Sequence, residues 1–235
     1  MGEHLVSSFD EDLEQIDKLI HDMADLAGSM VGTAITALLN SDNALAQRTV
    51  SDDAVMDARQ RELDDRAITL IAKRQPMAQD LRAVVGAIRM AGDLERIGDL
   101  AKNIAKRVNA VGQAATPRTL AHGIEAMSVL VLSQVKGVVE HYVARDGDAL
   151  RDLRNDDKKI DVMYTGVFRE LLTYMMEDPR NITSCTHLLF CAKNLERIGD
   201  HVTNIAENAY YVVTGLQLPA NRPKQDELAQ PVPAE

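Results

Sequence analysis

Leu94-Glu95-Arg96-Ile97-Gly98-Asp99 recurs as Leu195-Glu196-Arg197-Ile198-Gly199-Asp200, 101 residues further along the chain. The match runs on through Asn103-Ile104-Ala105 against Asn204-Ile205-Ala206. That spacing is far longer than a solenoid unit and close to the size of a small helical domain, so the repeat reads as a duplicated fold with one compact bundle per half. Within each copy the polar residues stand at i, i+4 and i+8, which drift only about 40° per step on an α-helix and so line one stripe. Glu95, Asp99 and Asn103 form one stripe; Glu196, Asp200 and Asn204 form the other. Leu94, Ile97, Ala101, Ile104 and Val108, with Leu195, Ile198, Val202, Ile205 and Ala209 in the second copy, fall nearly opposite. The carboxylates are therefore expected to look outward. Glu207, about 20° from Glu196 on the helical wheel, extends the second stripe by a turn.

Outward from the motif, the chain reads as six helices. Leu13, Ile16, Ile20, Met23, Ala27, Met30, Ala34 and Leu38 keep spacings of three and four, predicting one amphipathic helix over 5–40. Ser41-Asp42-Asn43 punctuates it, and a second helix runs to Arg74, where Gln75-Pro76 stops it because proline disfavours helical geometry in the residue before. A third, over 77–110, carries the first motif. Gly112 to Pro117 reads as a connector. A fourth helix spans 118–145, Asp146-Gly147-Asp148 turns the chain, and a fifth continues to Glu177, broken by Asp178-Pro179 as Gln75-Pro76 broke its counterpart. The sixth, over 181–215, carries the second motif. The expected class is all-α, two tandem antiparallel three-helix bundles over 1–111 and 118–217, joined by a linker at 112–117. Beyond Leu218 prolines and scattered charges leave no periodicity, so 218–235 reads as a disordered tail.

Composition agrees with helix-on-helix packing: of 235 residues 46% are hydrophobic, only 3% are aromatic and none is Trp. A formal charge of −10 disfavours a nucleic-acid partner, whose binding face needs clustered Lys and Arg, and suits metal cations or basic protein surfaces. Cys185 and Cys191, about 240° apart on one helical wheel, should remain unpaired buried residues, as in a reducing cytoplasm. No segment has the roughly 20 apolar residues of a membrane span, and no basic stretch followed by an apolar run opens the chain. A cytoplasmic protein without membrane insertion is expected, one that reaches the inner membrane only through protein partners.

Asp53 and Asp57 on the second helix are matched by Asp157 and Asp161 on the fifth, each pair at i, i+4 and so on one face. Short connections make neighbouring helices antiparallel, which brings two carboxylate rows together in each half. Such rows repel one another unless a cation intervenes, and oxygen-only donors suit magnesium, manganese, calcium or ferric iron, with zinc also accepted. A metal site on each bundle is the expectation. Arg96 and Arg197, about 100° off the stripe, are expected to form ion pairs, and Gly98 and Gly199 mark close helix approach. His201 lies about 140° from Glu196 and reads as structural. Hydrolytic or redox chemistry finds little support: no Glu-x-x-His of bundle-core di-iron enzymes, no phosphate cradle and no nucleophile elbow occurs. The same carboxylates leave open a metal-dependent phosphohydrolase working through them, and a metal-free scaffold.

The doubled L-E-R-I-G-D…N-I-A, the Gln75-Pro76-x-x-x-Asp80-Leu81-Arg82 segment and the two Asp pairs together resemble the PhoU family of bacterial phosphate-uptake regulators, over residues 5–215. The resemblance implies two antiparallel three-helix bundles, usually dimeric, with multinuclear iron or zinc clusters at Glu95/Asp99 and Glu196/Asp200 and the Asp pairs as co-ligands. It also implies a negative regulator, not an enzyme, that links the ATPase subunit of a phosphate ABC transporter to the sensor histidine kinase of the phosphate regulon. Toward the end of the stripe the two halves differ: Lys102 stands in the place of Thr203 and Lys106 in that of Glu207. The first stripe thus ends in positive charge, and the second half is expected to bind metal more tightly.

Overall fold

A computed structural model of the chain describes residues 2–112 and 122–219, with side chains from 11 to 111 and from 122 to 219. Positions 113–117 of the expected linker and 220–235 of the expected tail lie outside the described residues. Among the described residues eight α-helices follow in order: α1 Gly2–Asn40, α2 Asn43–Arg74, α3 Gln79–Ala105, α4 Val108–Gly112, α5 His122–Val143, α6 Gly147–Asp156, α7 Lys158–Glu177 and α8 Ile182–Thr214. A 3-10 turn, Pro179–Asn181, precedes α8. No strand occurs among the described residues.

The duplication is visible in the turns as well as the motif. Ser41 (φ 54°) and Arg145 (φ 53°) both take left-handed backbone, and the aspartate after each caps the next helix. Asp42 accepts from the Leu45 N–H at 3.0 Å, and Asp146 from that of Ala149 at 2.9 Å. Each cap contributes about 1 kcal/mol by satisfying an otherwise orphaned amide. Gln75 closes α2 in the same left-handed conformation (φ 48°), ahead of Pro76.

Two expected long helices are interrupted. The third ends at Ala105 because Arg107 leaves the helix to reach α8, its guanidinium 4.2 Å over the Phe190 ring and 3.2 Å from His187 Nδ1. Gly112 accordingly ends α4 instead of opening a linker. The fifth breaks at Asp157, whose carbonyl accepts from both Ile160 N and Asp161 N, at 2.8 and 3.3 Å. Asp157 is turned inward there and is only 3% exposed.

Within the first half α1, α2 and α3 pack on one another; α5, α6, α7 and α8 do so in the second. The halves meet through α3 on α8 and α1 on α5. The α3–α8 pair is antiparallel: Arg82, near the start of α3, lies 5.4 Å from the Tyr211 ring near the end of α8, and Arg107 meets the start of α8. The two copies of the motif therefore cross at mid-length, with Asp93 beside the first and His201 beside the second joined at 2.8 Å. All ten apolar positions expected to face inward are buried, and one continuous core runs through both halves. Tyr142 O–H on α5 donates to Asp17 on α1 at 2.7 Å, a second tie between them.

Close helix approach at the motif glycines is borne out, a Cβ on Gly199 standing 2.7 Å from Ile160 Cδ1, and a third glycine of the repeated helices, Gly86, is tighter still. A Cβ on Gly98 would meet flexible methionine atoms at 3.3 and 3.5 Å, those of Met56 and Met30, whereas one on Gly86 would collide with the stiff, buried Val212 of α8. Gly86→Ala is expected to lose about 1–3 kcal/mol from overpacking, while the gain of roughly 1 kcal/mol in helix propensity leaves Gly98→Ala near neutral. Urea unfolding of both variants measures the contrast.

Candidate functional site: two carboxylate clusters

In the first half α2 runs antiparallel to α3, so Asp53 and Asp57 meet Asp99 and Glu95 across the gap between the two helices. Lys102, one turn beyond Asp99, reaches into the same gap. Its Nζ lies 2.7 Å from Asp53 Oδ2 and 2.6 Å from Asp99 Oδ1, and the side chain is 19% exposed. Burial raises the Glu95 carboxyl above the usual range, a rise that Arg96 opposes and the charges of Asp99, Asp57 and Asp53 reinforce. Burial acts the same way on Asp99, but hydrogen bonds and charge from Lys102 and Arg96 outweigh it and hold that carboxyl low. Desolvation works against the Lys102 ammonium, and its two carboxylate partners more than reverse this. Arg96 pairs along its own helix, 3.2 Å from Asp99 and 3.5 Å from Glu95.

The second half encloses its carboxylates more completely. Glu196 is 6%, Asp161 5% and Asp157 3% exposed, and Asp200 is half-buried. Asp157 Oδ1 lies 3.0 Å from where a Cβ on Gly199 would stand, so the glycine makes room for the acid. Burial raises the Glu196 carboxyl, Lys193 lowers it, and the charges of Asp200 and Asp161 raise it again. Lys193 Nζ sits 2.8 Å from Glu196 Oε2 along the same helix and 5.1 Å from the Tyr164 ring, with 43% of its side chain exposed. Thr203, at the place of Lys102, is buried and donates to the Gly199 carbonyl at 3.1 Å.

The expectation that the carboxylates look outward is corrected. Because α3 and α8 each pack against both their own bundle and the other half, little of their circumference meets solvent, and the acids lie between helices. The stripes also come apart. Drift of about 40° per step turns Asn103 and Asn204 off the cluster face, whereas Glu207, back near that face, stands about 16 Å further along the helix axis. Asn204 donates to Asp93 Oδ1 across the α3–α8 contact at 3.3 Å, and Glu207 pairs with the buried Arg154 of α6 at 2.6 Å. Asn103 and Lys106 are exposed, so Lys102 alone of the two lysines enters the first cluster. Each half thus assembles four of its expected ligands, Asp53, Asp57, Glu95 and Asp99 or Asp157, Asp161, Glu196 and Asp200, and leaves Asn103, Asn204 and Glu207 outside. Among the described residues no three His, Cys, Asp or Glu side chains converge as a metal-holding group. In the first cluster an ammonium stands between two of the expected ligands, so that donor set does not fit a metal ion. In the second, the purely carboxylate donors fit a hard cation once Lys193 swings away from Glu196 and the acids close in.

Sequence reading placed Asn204 and Glu207 on the acidic stripe and did not foresee the cleft between the halves that they line. Asp93, His201, Asn204, Glu207, Arg89 and Tyr211 line an open cleft of about 720 Å³ where α3 crosses α8, with Glu95 at its edge. Asp93 occupies the register of Asn194, a difference between the copies that could have marked it. Cys185 and Cys191 are unpaired and buried, as expected, and burial pushes the Cys191 thiol up to about 12, far from nucleophilic use at neutral pH.

Two antiparallel halves, packed through their repeated helices and each holding four carboxylates between helices, define a duplicated helical-bundle protein with paired acidic clusters. The PhoU domain matches residues 20–108 and again 124–209. The phosphate-specific transport system accessory protein PhoU homolog of Rhizobium meliloti is 55% identical over 95% of this chain and 94% of its own length. The PhoU homolog of Caulobacter vibrioides is 45% identical over 98% of this chain and all of its own. The crystal structure of PhoU from Pseudomonas aeruginosa superposes with a TM-score of 0.83 at 32% identity, covering 88% of this chain and 100% of that one. The chain belongs to the PhoU family.

Lys102→Met removes the cation joining α2 to α3. It is expected to lower unfolding free energy at pH 7 by about 1–2 kcal/mol, allowing for partial exposure of the charged hydrogen bonds lost. The depressed Asp99 carboxyl contributes stability above about pH 4, which is lost as pH falls through its folded value. The gap between wild type and variant should therefore narrow below that pH, as urea titrations across the range would show.

Proposed function

We propose that the chain is the accessory regulator of a phosphate-specific transport system, restraining phosphate uptake and the phosphate-starvation response when phosphate is plentiful. The observation that supports the reading is the similarity, over nearly the whole chain and with both repeats matched, to proteins named as accessory proteins of phosphate-specific transport systems. The relatives are named accessory or regulatory proteins, not enzymes. No helix among the described residues is long and apolar enough to cross a membrane, so contact with a transporter runs through protein surfaces. The ATPase subunit of the phosphate ABC transporter and the sensor histidine kinase of the phosphate regulon are the partners in this reading. The regulator works as a homodimer at the cytoplasmic side of the inner membrane.

The second cluster is the metal centre of this proposal. Glu196, Asp200, Asp157 and Asp161 would hold iron or zinc, with manganese or magnesium as the other hard or borderline ions that carboxylates accept. Bound there, the ion supplies positive charge between α7 and α8 and ties the two helices together. The residues themselves set the charge, the enclosure and the spacing of the donors.

Deletion of the gene is expected to raise reporter expression from phosphate-starvation promoters in phosphate-rich medium. Expression that stays low in the deletion strain overturns the regulatory reading. Elemental analysis of the native protein should find metal that Asp200→Ala loses, and its persistence in that variant would place the ion elsewhere.

A further inference from the structure

The two clusters share one ancestral geometry but not one counterion. In the first, the Lys102 ammonium bridges Asp53 of α2 and Asp99 of α3, at 2.7 and 2.6 Å, and is largely enclosed. A side chain that joins two carboxylates from two helices occupies the ground where a multivalent cation would do the same work. Removing it would break both contacts and leave facing acids unscreened in a gap from which water is partly shut out. Lys193 in the second half is differently placed. It touches one carboxylate on its own helix, is 43% exposed, and its register in the first half holds Gly92. Withdrawal of Lys193 into solvent gives up one i, i+3 ion pair and a cation–π contact with the Tyr164 ring, neither of which ties the acids of two elements together as Lys102 does. Arg96 adds a second built-in cation to the first cluster through Glu95 and Asp99.

We propose that the first acidic cluster is permanently closed by Lys102 and takes no divalent cation, so that α2 and α3 are held by a charge encoded in the chain. Metal response is thereby confined to one half of the duplicated fold. The inference rests on the reading that carboxylate clusters in this fold accept metal, and it assigns the two copies different work. The first is a constitutive clamp whose strength is independent of metal supply. Any conformational response to metal arises on α6, α7 and α8.

The test uses the full chain, stripped with chelator and dialysed against manganese(II), with bound metal read by elemental analysis and melting temperature read with and without the ion. Lys102→Thr installs the residue found at position 203. It is expected to bind about one more manganese per chain than wild type, as four carboxylates without an ammonium suit a hard oxygen-preferring ion. That increment should vanish in Lys102→Thr/Asp99→Asn. The melting temperature of Lys102→Thr should fall below that of wild type in chelator and recover when manganese is added. Lys102→Gln, which keeps most of the side-chain length without its charge, reads the same increment if the threonine variant does not fold. The proposal is overturned if neither variant gains metal, or if Asp99→Asn with Lys102 intact loses metal that the wild type holds. Failure of the second-cluster reading is distinguishable: a wild type that binds no manganese, alongside a lysine variant that does, sinks that reading and upholds this one.

Discussion

The antiparallel crossing of α3 on α8 is the constraint on which the rest of the structure depends. Two copies of one helix can bury the same face against each other only if each also keeps its own bundle packed behind it. Small residues make that double burial feasible: Gly86 accepts Val212, Gly98 accepts Met56 and Met30, and Gly199 accepts Ile160 and Asp157. Arg107 over Phe190 and Arg82 beside Tyr211 hold the two ends, and Asp93 with His201 the middle.

Enclosing the motif helices changes the chemistry of their acids. A carboxylate row on a free helical face would be solvated and nearly independent. Between two helices it loses water, and each acid raises the energy of ionising its neighbours, as the elevated carboxyls of Glu95 and Glu196 record. The two halves relieve this stress differently. In the first, an enclosed lysine crosslinks α2 and α3; in the second, a threonine turns back on its own helix and a partly exposed lysine takes one corner. On one duplicated scaffold the two halves thus pair their acids differently.

Periodicity was a sound guide wherever a residue's surroundings follow from its own helix. The ten apolar positions opposite the acids are all buried, and the Asp pairs do meet the motif acids across neighbouring helices. Where a second surface intervenes, the helical wheel misleads. Asn204 and Glu207 look like a continuation of the acidic stripe, yet the helix turns them toward Asp93 of the other half and Arg154 of α6. Lys106 and Lys102 look like equivalent intrusions of positive charge, and only Lys102 points into the gap.

The sequence by itself determined the all-α class, the duplication, the family and the two sets of carboxylates, because each of these is written in local spacing along a helix or in the recurrence of a motif. Tertiary structure decided that the acids lie between helices, that each stripe divides, and that the first cluster carries its own cation. The physical reason is that burial and charge pairing depend on what lies across the gap. A helical wheel sets the direction of a side chain, but the neighbouring helix decides whether that direction ends in water, in a carboxylate or in an ammonium.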